Sequence, residues 1–142
     1  MEEPTKIREH FEGPFGPPVA LPQIAEAERR LGHELPDILK IHYAQYDGFK
    51  GPTNAPFFHS LRELVETTLW LRGEGYFPEF IQRSVAVGED GVGAYWLIHL
   101  DRPDAIIDWD AEMEGEERII LDGNLTEAWL AGKRKYDEAQ DS

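Results

Sequence analysis

Cysteine is absent from this 142-residue chain, which excludes a disulfide framework, a cysteine-ligated zinc and a thiol nucleophile. Basic residues are scarce: 14 Lys and Arg stand against 28 Asp and Glu, a formal net charge of -14. No Lys/Arg cluster exists to release counterions from a phosphate backbone, so direct nucleic-acid and anionic-membrane binding are excluded. A basic protein partner fits the charge instead. Long apolar runs are also missing. None approaches the roughly 18 residues of a membrane span, and Met1 to Gly16 lacks the basic start and apolar core of a signal peptide. The expected compartment is the cytoplasm.

Apolar material is nonetheless plentiful. Hydrophobic residues make up 41%, with 4 Trp, 7 Phe and 5 Tyr, too much for a disordered acidic solvator. A chain of this size can bury about two thirds of the surface its unfolded form exposes, enough for one domain without a metal or disulfide staple.

Residues 1–20 read as an irregular Gly/Pro-rich segment, because Gly13, Pro14, Gly16, Pro17 and Pro18 interrupt regular structure, and residues 21–142 as the single domain. A helix is expected from Pro22, with Ile24, Ala27, Glu28 and Leu31 at helical spacing and Gly32 as its C-terminal glycine. Leu35-Pro36-Asp37 restarts a helix that ends near Asp47-Gly48. After a loop from Gly51 to Pro56, Ser60-Leu61-Arg62-Glu63 is a capping box, in which serine and glutamate satisfy each other's orphan backbone amides. The stripe Leu61, Leu64, Val65, Thr68, Leu69 and Arg72 then marks a helix laid on a core and ended by Gly73, Gly75 and Pro78.

From Ser84 the pattern changes to β-rich runs: Val85 and Val87, then Tyr95 to Leu100, Ala105 to Trp109 after the Arg102-Pro103 break, and Ile119 to Leu121. Gly88 to Gly93 suits an antiparallel hairpin turn. A second capping box, Asn124 to Glu127, opens a C-terminal helix through Ala128, Trp129, Leu130, Lys133 and Tyr136. Helices, then strands, then a helix predict an α+β fold with a mainly antiparallel sheet and helices packed on one side.

Between Asp108 and Glu116 every second residue is an acid: Asp108, Asp110, Glu112, Glu114 and Glu116. Alternate strand residues share a face roughly 6.5 to 7 Å apart, so an extended segment would bury Trp109 and Met113 and present a comb of carboxylates to water. Mutual repulsion keeps such a comb exposed, and a basic partner would relieve it. A run of acids is also, ordinarily, no more than a solvated face.

The remaining chemistry is sparse. His10, His33, His42, His59 and His99 lack H-x-x-x-H or H-E-x-x-H spacing, so no sequence-local metal site arises. His42 and His99 fall in apolar stretches and read as hydrogen-bonded core or edge histidines. Gly88 to Gly93 has no P-loop lysine, and Glu89 and Asp90 would repel a phosphate. Asp108 and Asp110 have the separation of a glycosidase pair, but nothing identifies a raised-pKa acid. No serine sits in a G-x-S-x-G elbow. Neither a catalytic residue nor a cofactor is implied.

Several of these motifs, in order, resemble one family. Ile24-Ala25-Glu26-Ala27-Glu28, Leu31-Gly32, Leu35-Pro36 and Tyr43 to Gly48 resemble the opening of the SUKH superfamily, the cell-wall assembly regulator and toxin-immunity group. Val87 to Gly93 with Tyr95-Trp96 looks like its hairpin, Ile106 to Asp110 like its following strand, and Asn124 to Leu130 like its closing helix. Asp47 departs from the pattern, standing where an asparagine is usual. The resemblance covers Leu21 to Leu130 and implies an α+β fold, no enzyme, and an immunity protein that binds and blocks a polymorphic toxin, often a nuclease. The family also includes adaptors in cell-wall regulation.

Charge, comb and resemblance together point to a non-enzymatic domain that docks a basic toxin domain and occludes it. Glu89 and Asp90 on the hairpin, with Asp108, Asp110, Glu112 and Glu114 on the comb, are the expected contacts, and Tyr95 or Trp109 the expected anchor, although core packing is the better reading of Trp109. An intracellular adaptor is the alternative, and a carboxylate-dependent hydrolase a third.

Overall fold

The computed structural model describes residues 4–11, 15–49, 57–73, 79–89, 94–109, 117–122 and 125–140. In chain order these form α1 (Thr5–His10), α2 (Leu21–Leu31), α3 (Asp37–Tyr43), β1 (Phe57–Phe58), α4 (Leu61–Gly73), a 3-10 turn (Glu79–Arg83), β2 (Ser84–Glu89), β3 (Tyr95–His99), β4 (Arg102–Trp109), β5 (Glu117–Asp122) and α5 (Leu125–Gln140). The five strands lie side by side in sequence order, and every neighbouring pair is antiparallel. The fold is α+β, as the order of helical and β-rich segments predicts.

Local chemistry sets the helix limits. The Gln23 side chain accepts from the Ala20 N–H at 2.8 Å, and Pro22 occupies the first turn of α2. At the far end Gly32 takes φ +84° and its N–H returns to the Glu28 carbonyl. Glu28 then ties α2 to α3, accepting from the Leu35 N–H at 2.7 Å and pairing with Lys40 at 3.2 Å. The capping box of α4 is complete: the Ser60 N–H donates to Glu63 Oε1 at 3.1 Å and the Glu63 N–H to Ser60 Oγ at 3.2 Å. The corresponding box before α5 begins at Asn124, outside the described residues.

One departure lies in the N-terminal segment. Residues 1–20 are not irregular throughout, because Thr5–His10 is helical, and Ile7 and Phe11 are buried in the main core. The Phe11 ring meets that of Phe49 at 4.4 Å, and α1 rests on α5. Six residues are too few to sustain a helix in water, so tertiary packing supplies the order here.

The sheet is covered on both faces. Val85, Val87, Trp96, Ile98 and Ile106 point into a large core shared with α1, α2, α3, α5 and the first turns of α4. Ala86, Leu97, Ile107 and Trp109 point the other way, under Leu71 of α4 and Ile81 of the 3-10 turn. Aromatic rings dominate the larger core, where Phe58 contacts His42, Tyr43, Tyr46, Phe49 and Trp129 at centroid distances of 5.0–6.1 Å.

Because β1 spans only two residues, most of the β2 edge has no strand beside it among the described residues, and α4 with its approach covers that edge. Thr68 Oγ1 accepts from the Ala86 N–H at 2.9 Å, the Ala86 carbonyl accepts from His59 Nδ1 at 3.1 Å, and the Ser84 carbonyl accepts from Arg72 at 2.9 Å. An edge covered in this way is closed to pairing with another chain.

Candidate functional site

At the hairpin end of the sheet the register sets two rows of side chains against each other. Phe57, Glu89, Tyr95 and Trp109 lie opposite one another across β1 to β4, while Phe58, Gly88, Trp96 and Asp108 form the next row. Residues directly opposite share a face, and successive rows alternate. Glu89 and Tyr95 therefore lie together on the face of the smaller core. Asp108 lies on the opposite face, with Trp96, where α5 packs.

Glu89 is partly exposed. Its carboxylate stands 3.6 Å from His59 Nε2, and the His59 ring is otherwise anchored by its Nδ1–H to the Ala86 carbonyl. Tyr95 stacks on Trp109 at 6.3 Å with the rings 28° apart. Burial, and then the Glu89 charge, raise the Tyr95 pKa above the ordinary phenol value, so its hydroxyl stays a neutral donor beside the Glu89 strand position.

Trp109 is fully buried, which makes it a core residue rather than an anchor. Asp108 is half-buried, so the comb of solvent-facing carboxylates does not begin there as expected. Asp90, Asp110, Glu112 and Glu114 lie outside the described residues. Of the expected contacts, then, the structure brings Glu89 and Tyr95 together and sets Asp108 apart from them.

One exposed aromatic escaped the sequence reading. Trp70 is 51% exposed, whereas Trp96, Trp109 and Trp129 are all buried. It extends the outward α4 stripe of Arg62 and Glu66, an ion pair at 3.0 Å. The signal was present in the sequence, since Trp70 lies nine residues after Leu61, half a helical turn away from the apolar stripe.

The four histidines whose side chains are described fill structural roles. His42 is buried between Tyr46 Oη at 2.7 Å and Thr126 Oγ1 at 3.2 Å, joining α3 to α5, and His99 Nδ1 accepts from the Asp101 N–H at 3.1 Å. His33 and His59 each hold a backbone carbonyl. Among the described residues no group of three or more His, Asp or Glu is placed to hold a metal ion. No helix among them is long and apolar enough to cross a membrane. Among the described residues Arg29, Lys40, Arg62, Arg83 and Lys133 each pair with an acid.

Asp47, the departure from the resembled pattern, caps α4: its Oδ1 accepts from the Leu61 N–H at 2.7 Å. Burial raises the Asp47 pKa above the ordinary value, the Leu61 hydrogen bond opposes that, and the Glu63 charge adds to it. A raised carboxyl pKa favours the fold in acid, and that contribution is lost as pH rises through the raised folded value. Asp47→Asn keeps the acceptor and removes the charge. The urea midpoint at neutral pH is expected to rise, with the advantage shrinking in acid; a variant less stable at neutral pH would refute this reading of the cap.

Comparison with known proteins adds one match. The family model SUKH_6, described as SMI1-KNR4 cell-wall, matches residues 22–127, most of the chain and all the elements from α2 to the start of α5. No curated protein matches it.

Proposed function

Because this chain belongs to the SUKH family, generally toxin-immunity or cell-wall regulatory proteins without catalytic activity, we propose that it is an immunity-type binding protein. It occludes a basic toxin domain and transforms nothing itself. The observation that carries this reading is the charge of -14 on a well-packed family domain. A cationic partner removes the repulsion among the surplus acids, speeds encounter and makes association fall with salt.

Affinity needs anchors as well as charge. Aromatic side chains that are held rigid yet reachable are the usual source of binding energy at the centre of an interface. Tyr95, supported from below by Trp109 and flanked by Glu89, has these properties. The test is a set of variants measured against a cognate basic toxin domain. Tyr95→Ala and Glu89→Lys should each weaken binding about tenfold while leaving the fold intact. Asp110→Lys with Glu112→Lys and Glu114→Lys should slow association chiefly at low salt. Unchanged affinity in all of these variants would remove this surface from the reading.

The cell-wall association in the family's description supports a second role, an adaptor that gathers several proteins and neutralises none. Binding of more than one purified cell-wall regulatory protein, without inhibition of any toxin, would favour it.

A further inference from the structure

Arg72, in the last turn of α4, joins three separate parts of the chain. Nη1 donates to the Leu31 carbonyl at the end of α2 at 3.4 Å, and Nη2 donates to the Ser84 carbonyl at the start of β2 at 2.9 Å. Nη2 also lies 2.8 Å from His33 Nε2, just past the end of α2. None of these partners is a carboxylate. Burial, and then the nearby Arg83, lower the Arg72 pKa, while its Nε is buried without a hydrogen-bond partner among the described residues.

The chemistry of the partners fixes the state of the imidazole. A guanidinium nitrogen can only donate, so His33 Nε2 must present its lone pair. On the other side of the ring, Nδ1 lies 2.9 Å from the Glu34 carbonyl, which can only accept, so Nδ1 carries the hydrogen. Both ring nitrogens are thus assigned, and the contact exists only with a neutral ring. Protonation would turn Nε2 from acceptor to donor and set two cations against each other at hydrogen-bond distance.

We propose that Arg72 and His33 form a proton-operated latch, which holds the ends of α2 and α4 to the start of β2 while His33 is neutral and releases them when it is protonated. The other charged groups around it do not replace the lost acceptor. From the 3-10 turn, Arg83 acts on the same guanidinium and is itself paired with Asp101 at 2.7 Å. On His33's own segment, Glu34 acts on Lys40 of α3, and Glu28 of α2 is held by Lys40 and the Leu35 N–H. Release frees the α2 end locally, because Ile24, Ala27 and Leu31 still hold the helix to the core.

Hydrogen exchange of the whole protein, followed from neutral to mildly acidic pH alongside the NMR titration of the His33 ring, tests this. Protection factors, which correct for the intrinsic pH dependence of exchange, should fall about tenfold across residues 31–35 in step with His33 protonation. His33→Gln supplies an amide oxygen that accepts at every pH and should abolish the step while retaining the protection seen at neutral pH. Arg72→Met should lower protection there at every pH. A step of the same size in His33→Gln, or wild-type protection that does not change as the His33 ring titrates, would overturn the proposal.

Discussion

Gly88→Ala is expected to cost about 3 kcal/mol or more, at or beyond the upper end of the usual range for overpacking. A methyl at Gly88 would lie 2.1 Å from the Phe57 carbonyl oxygen and 2.8 Å from Trp129 Cζ2. Neither neighbour can withdraw. The carbonyl belongs to the β1–β2 pairing and the indole is packed in the core, so the substitution must displace β1 or α5. The β2–β3 pairing shifts register between Ala86 and Gly88, and on the other side of β2 Gly88 lies opposite Phe58. Gly73→Ala is the contrast: among the described residues nothing lies within 4 Å of the added methyl, and the position ends a helix. There alanine should stabilise by about 0.4–1 kcal/mol through the unfolded chain. Urea midpoints for the two variants should move in opposite directions, and a shared direction would contradict the packing described.

Trp129→Ala should have the other large effect, about 3–5 kcal/mol, a major share of the roughly 5–15 kcal/mol that stabilises a typical domain. Its indole is 1% exposed and lies between Phe58 at 5.0 Å and Trp96 at 4.8 Å, so it seats α5 on the sheet. Trp129→Phe should cost much less than the lost volume suggests. The indole Nε1 is buried without a hydrogen-bond partner among the described residues, and phenylalanine has no such donor to bury. Calorimetric or urea unfolding measures both. An alanine variant within 1 kcal/mol of wild type, about the cost of an ordinary substitution, would mean that this aromatic core is not the main support of the fold.

Where a segment announces itself by local chemistry, the sequence and the structure agree closely. The Ser60/Glu63 box, the glycine after Leu31 and the α4 stripe all depend on residues within a few positions of one another. The α1 helix depends instead on Ile7 and Phe11 finding Phe49 and α5, contacts far away in sequence that periodicity cannot report. Pro103 reads as a break, yet β4 begins at Arg102. Among the described residues, pairing to β5 starts at Ala105, two positions beyond Pro103.

The candidate site shows the same division. Alternation correctly separates Trp109 from Asp108, since period two states which residues share a face. It does not state which face meets water, and here both faces of the sheet are covered, so Asp108 is turned toward the α5 side and half-buried. Glu89 and Tyr95 could be paired only once the β2–β3 register was known. Trp70 was legible as a tryptophan on the wrong side of an otherwise regular helix.

The most direct test of the account is to titrate this protein into a cognate basic toxin domain, following toxin activity and the association rate over a series of salt concentrations. Occlusion by an acidic surface predicts complete inhibition at one-to-one stoichiometry, with an association rate that falls steeply as ionic strength rises. Inhibition by substoichiometric amounts, which would require turnover, or an association rate indifferent to salt, would contradict it.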